Sequence, residues 1–168
     1  STFAALMNQY AEKRGLKNSH FVNSHGLFDP EHYMSAHDIA ELSRALIRDF
    51  PEEYAHYSLK DYTWNAHTQR NRNILLWRDP SVDGIKTGHL SQAGYCLAAS
   101  AKRGDTRLIA VVMNTAGEKV RADEAHALLN YGFRFFETHK VYEAMAPVSD
   151  VTLWHGEAAK ARLGVAQP

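Results

Sequence analysis

Residues 82–115 read VDGIKTGHLSQAGYCLAASAKRGDTRLIAVVMNT, and this stretch decides the fold class. Two mostly apolar segments, 95–101 and 107–113, flank Arg103-Gly104-Asp105-Thr106, whose residue types are typical of a tight turn. We therefore predict an antiparallel hairpin. The second segment is apolar at consecutive positions, which is typical of a central strand covered on both faces. Ile85-Lys86-Thr87 is a further, short strand candidate.

Segments before and after this region have helical spacing. Residues 2–14 carry an apolar stripe, and Gly15 follows as a stop signal. The stripe consists of Phe3, Leu6, Met7, Tyr10 and Ala11. Ser35 and Asp38 have the spacing of a capping box, which predicts a second helix ending at Pro51. Residues 118–137 predict a third helix, so the fold class is α+β.

The remaining segments predict less regular structure. Residues 16–35 are rich in turn formers and indicate a long loop, and residues 65–73 are polar and turn-like. A short aromatic strand is expected near Tyr62. After residue 139 short apolar pieces alternate with glycine. We predict one domain over residues 1–139, then a linker and the start of a small β-rich domain over 140–168.

Composition excludes several classes of protein. The 168 residues carry 19 basic and 19 acidic side chains, and this zero net charge argues against a nucleic-acid partner. No apolar run approaches the ~20 residues of a membrane span. Cys96 is the single cysteine, so no intrachain disulfide can form. Four histidines crowd residues 20–37 without a metal-ligand motif, so no metal and no cofactor is expected.

The tripeptide Lys86-Thr87-Gly88 carries the clearest chemistry. Such a K-T-G is one of the motifs of penicillin-binding proteins and class A β-lactamases. An ammonium and a hydroxyl can hold a substrate carboxylate, and a glycine lets an extended peptide approach the strand. Three residues alone are weak evidence for this function, because such a tripeptide recurs by chance in many proteins. The alternative interpretation is a simple Lys-Thr-Gly turn.

The surrounding sequence resembles the low-molecular-mass penicillin-binding proteins, and more narrowly the serine-type D-alanyl-D-alanine carboxypeptidases of bacterial cell walls. The resemblance covers about residues 5–165 and rests on several short sequence segments that follow one another in the same order as in the family. They are 16–21, 25–27, 45–49, 71–77, 82–89, 93–95 and 132–137. It implies a β-lactamase/transpeptidase-like domain with an antiparallel sheet and packed helices.

The resemblance also implies a mechanism and roles for residues. A serine in an S-x-x-K motif attacks the D-Ala-D-Ala bond, and an S-x-N serine helps to move the proton. By position, Lys86, Thr87 and Gly88 would bind the terminal carboxylate of the stem peptide, and the backbone N–H of His89 would be an oxyanion donor. Arg72 would lie near the same carboxylate, with a structural ion pair as the alternative. β-Lactam antibiotics would be ligands of this site.

The departures from the family pattern are large. No S-x-x-K and no S-x-N occurs in the 168 residues, and Leu90 stands where many relatives have a small hydroxyl residue. We expect the chain to be the later part of a longer enzyme, to hold the K-T-G half of the site and to be inactive alone. It would need the missing N-terminal segment, or a partner chain, to cover the exposed face of its sheet.

Two other functions stay open. A β-lactamase-type hydrolase would use the same K-T-G, and a non-catalytic carboxylate- or peptide-binding remnant would lack the nucleophile. The resemblance implies a periplasmic location at the outer face of the inner membrane. The family's contact with the membrane is through a C-terminal anchor, which is absent here.

Overall fold

The structure, a computed structural model, describes residues 2–166. The chain divides into two compact units, one ending at Phe136 and the other beginning at Glu137. Each unit is described by itself. The predicted domain boundary at residue 139 stays a prediction.

The first unit is built on a three-stranded antiparallel sheet. Its strands are β5 (Val82–Leu90), β6 (Gly94–Arg103) and β7 (Thr106–Thr115), in the order β5-β6-β7. β6 and β7 form the predicted hairpin, with Arg103 opposite Thr106 at its turn. Gly104 supplies the positive φ of 58° that the turn requires. The strand predicted at Ile85 is also present, but it extends over nine residues.

Both faces of this sheet are covered, because alternate residues of each strand enter different clusters. Leu97, Ala99 and Val112 pack on one face with Leu129 of helix α5 (Glu118–Phe135). Ala98, Ile109 and Val111 pack on the other face with Leu46 of helix α2 (Ala36–Asp49). The covered strand at residues 107–113 is therefore confirmed. Within residues 2–166 β7 is an end strand of the sheet, so its predicted central position stays a prediction.

The predicted capping box at the start of α2 is half formed. The Ser35 hydroxyl accepts a 3.1 Å hydrogen bond from the backbone N–H of Asp38, as expected of an N-cap. The Ser35 N–H, which would complete the box by donating to Asp38, donates to the Asn18 carbonyl at 3.0 Å. Asp38 Oδ2 accepts 2.7 Å bonds from the Asn18 N–H and the Ser19 hydroxyl, so it fastens the preceding loop to the helix.

Helix α1 (Thr2–Lys13) is present as predicted, but the large side chains of its predicted apolar stripe are not buried, and Ala11 is the one member of the stripe that is. Phe3 and Tyr10 are each 57% exposed, whereas Ala4 and Ala11 are buried. Within residues 2–166 the helix therefore packs through its small side chains.

The other elements are short. The loop at residues 16–35 contains the paired strands β1 (Ser19–His20) and β2 (Tyr33–Met34). Helix α3 (Pro51–Tyr54) leads through a 3-10 turn (Ala55–Ser58) to a hairpin. That hairpin pairs β3 (Asp61–Trp64), the strand expected near Tyr62, with β4 (His67–Arg70). β4 lies where only turns were predicted. Helix α4 (Leu75–Arg78) precedes β5.

The second unit contains one antiparallel pair, β8 (Pro147–Thr152) and β9 (Lys160–Gly164). Among residues 2–166 no helix combines the length and the apolar character needed to cross a bilayer.

Candidate active site at the K-T-G strand

Strand β5 presents the predicted site residues in sequence along one edge of the sheet. Thr87, Gly88 and His89 lie opposite residues of β6, and within residues 2–166 β5 has no strand on its other side. An edge of this kind offers backbone N–H and C=O groups to an extended peptide. The Gly88 position also leaves room for one, since Gly88 is exposed and carries no side chain.

The two polar side chains of the motif differ in their surroundings. Lys86 is exposed and its Nζ donates a 2.6 Å hydrogen bond to the backbone carbonyl of Thr87. Thr87 is half-buried.

Arg72 lies on a separate segment, just before α4, and is exposed. It has no ion pair with another residue of the described range. Its neighbours hold the segment in place. The Asn71 N–H donates to the Lys60 carbonyl at 2.7 Å, and the Asn73 amide donates to the Gly84 carbonyl of β5 at 2.9 Å.

Arg121, which sequence reasoning did not select, also reaches the K-T-G strand. This residue of α5 is 3% exposed, and its Nη1 donates a 3.0 Å hydrogen bond to the Gly88 carbonyl. Its guanidinium lies 5.5 Å from the centre of the Tyr95 ring, and that ring stacks on the His89 ring at 3.9 Å. The sequence does indicate that Arg121 is buried, since it lies one helical turn before Ala125 and therefore on the apolar face of the helix.

A polar cluster fixes the beginning of β5 to its neighbours. The Tyr54 hydroxyl donates to Asp83 at 2.7 Å, and Arg107 of β7 pairs with the same carboxylate at 2.7 Å. Arg107 also donates to the Ser100 hydroxyl of β6 at 2.6 Å. Burial and the neighbouring Asp83 raise the pKa of Tyr54, so its hydroxyl remains a donor at alkaline pH where a free tyrosine ionises. These bonds join the three strands at the end of the sheet where β5 begins.

The described residues contain no group of three or more histidine, cysteine, aspartate or glutamate side chains that could hold a metal ion. The crowded histidines bond locally instead. His20 Nδ1, for example, lies 2.6 Å from the Glu31 carbonyl.

Comparison with known proteins identifies the family. The model of the D-alanyl-D-alanine carboxypeptidase family, peptidase S11, matches residues 1–117. The chain is 47% identical over 164 residues to the D-alanyl-D-alanine carboxypeptidase DacA of Escherichia coli K12, covering 97% of this chain and 41% of the relative. It is 36% identical over 171 residues to DacF of Bacillus subtilis, covering 99% of this chain and 44% of that protein. The chain belongs to the D-alanyl-D-alanine carboxypeptidase family, which confirms the resemblance.

Solved structures confirm the fold class. Penicillin-binding protein 5 of Haemophilus influenzae superposes with a TM-score of 0.90 at 47% identity, covering 98% of this chain and 48% of that one. Penicillin-binding protein D2 of Listeria monocytogenes, in its cefotaxime-bound form, gives a TM-score of 0.73 at 30% identity, covering 78% of this chain and 55% of that one. The chain therefore has the fold of the corresponding part of these proteins. It spans less than half the length of the curated relatives reported above.

Proposed function

We propose that the full-length protein to which this chain belongs is a serine-type D-Ala-D-Ala carboxypeptidase that removes the terminal D-alanine from peptidoglycan pentapeptides. The observation that carries the proposal is the placement of Lys86-Thr87-Gly88 on an edge of the described sheet, in a chain of this family. This chain supplies the half of the site that binds the carboxylate and the oxyanion. The serine nucleophile and its lysine come from outside the 168 residues, which contain no S-x-x-K.

The proposed binding mode follows from charge and backbone geometry. The end of the stem peptide lies along β5 as an additional antiparallel strand, which the absent side chain of Gly88 permits. Lys86 and Arg72 supply positive charge for the terminal carboxylate, and the Thr87 hydroxyl donates a hydrogen bond to it. Charge-assisted hydrogen bonds are shorter and stronger than neutral ones, which favours a free C-terminus over a blocked one.

The proposed reaction has two steps. The serine oxygen bonds to the carbonyl carbon of the penultimate D-alanine, and the backbone N–H of His89 is one donor to the developing oxyanion. The C–N bond then breaks, and D-alanine leaves with the proton taken from serine. Water adds to the acyl-enzyme ester, which frees the shortened peptide and restores the serine.

Three further parts of the proposal follow from the substrate and the family. β-Lactams, which mimic D-Ala-D-Ala, acylate the same serine; the Listeria relative has been solved with cefotaxime and with ampicillin. The enzyme acts in the periplasm, at the outer face of the inner membrane, where its substrate is found. It contacts the membrane only through a C-terminal anchor and binds no nucleic acid.

The upstream segment of the same protein, or another chain in the same place, completes the sheet along the free edge of β7. Both faces of the described sheet are already packed, so the cover expected for an exposed face is needed at this edge instead. β7 carries apolar residues on both faces and is an end strand of the described sheet. An end strand of this kind needs a cover. The chain alone is expected to be inactive.

The test measures D-alanine released by the full-length protein from diacetyl-L-lysyl-D-alanyl-D-alanine. We expect release, and its loss when one equivalent of benzylpenicillin has acylated the protein. Rapid benzylpenicillin hydrolysis without D-alanine release would overturn the proposal in favour of a β-lactamase-type hydrolase. Peptide binding without either reaction would overturn it in favour of a non-catalytic remnant.

A further inference from the structure

The hydrogen bond from Arg121 to Gly88 acts on one particular peptide unit. The Gly88 carbonyl and the His89 N–H belong to the same planar peptide, so a donor fixed on the carbonyl also fixes the direction of the N–H. A cationic donor draws electron density toward the carbonyl oxygen and makes the N–H a stronger donor. Arg121 donates to this carbonyl from α5, 33 residues further along the chain.

The two residues that share this peptide, Gly88 and His89, are both held by the group formed by Arg121 and Tyr95. The guanidinium lies over the Tyr95 ring at 5.5 Å, and the Tyr95 ring stacks on His89 at 3.9 Å. Tyr95 is also the register partner of His89 on β6. Arg121 therefore contacts Gly88 directly and His89 through Tyr95, so the peptide between them has little freedom to rotate.

The surroundings of Arg121 do not explain why a cation is buried here. Its Nη2 has no hydrogen-bond partner among residues 2–166, and the Glu118 carboxylate is 3.7 Å away on a side chain that is 64% exposed. A 3.7 Å pair with a carboxylate that is 64% exposed is weakened by solvent, whereas a buried donor without a hydrogen-bond partner costs free energy. A role for the buried guanidinium at β5 would account for this unfavourable free energy.

We propose that Arg121 is a positioning residue that orients and polarises the Gly88–His89 peptide, so that the His89 N–H points at the oxyanion of the acylation step. This inference rests on the proposed function, in which that N–H is an oxyanion donor. It assigns Arg121 a role in the transition state rather than in holding the substrate.

The test uses the full-length protein with Arg121→Gln, Arg121→Lys and the control Lys119→Gln. Lys119 is 81% exposed near the start of the same helix, so its loss removes one charge without touching β5. Benzylpenicillin labelled with ¹³C at the lactam carbonyl gives an acyl-enzyme whose carbonyl stretch reports the strength of the oxyanion donors. A merely structural role would not move this frequency in protein that is folded and acylated.

For Arg121→Gln we expect acylation at saturating benzylpenicillin to slow by about tenfold, which is less than the loss of a whole oxyanion donor. We expect the carbonyl stretch to rise, because a less polarised carbonyl vibrates at higher frequency. Arg121→Lys keeps the positive charge but loses the planar set of guanidinium N–H donors. Because the charge remains, we expect this variant to shift the carbonyl frequency less, in the same direction. Lys119→Gln is expected to match the wild type.

Wild-type rate and frequency in Arg121→Gln would overturn the inference. Should that variant fail to fold, an unshifted frequency and an unchanged rate in Arg121→Lys would overturn it. A wild-type protein that benzylpenicillin does not acylate would refute the proposed function instead, so the two failures are distinguishable.

Discussion

The side-chain amide of Asn73 donates a 2.9 Å hydrogen bond to the backbone carbonyl of Gly84, and Asn73 is 2% exposed. This bond joins the segment that carries Arg72 to the strand that carries Lys86. Asn73 Oδ1 also accepts the Leu75 N–H at 3.2 Å, at the start of α4. One buried amide thus connects the two parts of the proposed carboxylate site.

Replacing Asn73 with alanine is expected to lower the free energy of unfolding by about 1–3 kcal/mol, because the Gly84 carbonyl loses its partner inside the protein. The variant should also have a raised KM for the D-Ala-D-Ala peptide, since the segment that carries Arg72 is no longer bonded to β5 through Asn73. Urea unfolding and steady-state kinetics of the full-length protein measure both effects. Gln69→Ala is the matched control, because it removes an exposed amide of β4. Equal stability of the two variants would refute a structural role for the Asn73 bond.

Gly88→Ala is expected to separate folding from activity. A Cβ at Gly88 would meet only the Cβ of Cys96, at an ordinary 3.7 Å, so the free energy of unfolding should change by less than about 0.5 kcal/mol. The added methyl group stands at the edge where the peptide is proposed to lie. We therefore expect kcat/KM for the peptide to fall at least tenfold, a loss of about 1.4 kcal/mol.

Gly84→Ala on the same strand is the contrasting variant. Its Cβ would lie 2.6 Å from the Tyr54 hydroxyl, and Tyr54 is buried, so the side chain must move. We expect a loss of about 1–3 kcal/mol in unfolding free energy. If Gly88→Ala kept full activity while remaining folded, the edge would not be the peptide site.

Asp79 gives a prediction for acid stability. Burial raises its pKa, but hydrogen bonds from the Ser81 hydroxyl and backbone N–H and from Arg103 outweigh burial and lower the pKa to about 2. A carboxylate with a lowered pKa stabilises the fold above its unfolded value of 3.8, and this contribution is lost as the pH falls from about 4 to about 2. The contribution at neutral pH is about 2 kcal/mol.

Asp79→Asn should therefore be less stable than the wild type at pH 7, and the difference should shrink as the pH falls toward 2. Urea unfolding at a series of pH values checks this. Asp123→Asn is the control, because that carboxylate is 49% exposed and pairs with Arg78 on the surface, where a pair contributes less than about 1 kcal/mol. A stability difference that is independent of pH would contradict the assignment.

The sheet and the main helices could be predicted from the sequence because their signals are local. The turn at Gly104 specifies the hairpin of β6 and β7, and the Ser35 hydroxyl caps α2 as its spacing predicts. The K-T-G strand could be predicted because the motif and the family resemblance agree. β4 could not, because its residues are polar and its conformation comes from pairing with β3 around a turn at Asn65 and Ala66, both with positive φ.

The bonds made by the supporting residues of the site could not be predicted, for a different reason, although the position of Arg121 on the apolar face of α5 indicated burial. The Arg121 bond to Gly88 and the Asn73 bond to Gly84 join a side chain to a backbone carbonyl that is distant along the chain. Neither carbonyl has a residue-specific signal in the sequence. The buried face of α1 could not be predicted either, since the apolar side chains of Phe3 and Tyr10 are exposed within the described residues.

Whether β5 binds the substrate carboxylate is decided by kcat/KM of the full-length protein for two peptides. One is a D-Ala-D-Ala peptide with a free C-terminal carboxylate, and the other is the same peptide as its C-terminal amide. We expect a preference of at least about 100-fold for the free acid, because two cations and a hydroxyl contribute charge-assisted bonds of about 1.5–3 kcal/mol each. Lys86→Gln and Arg72→Gln are each expected to reduce that preference by about tenfold or more. Equal turnover of acid and amide, or an unchanged preference in Lys86→Gln, would contradict the assignment of this strand to the substrate carboxylate.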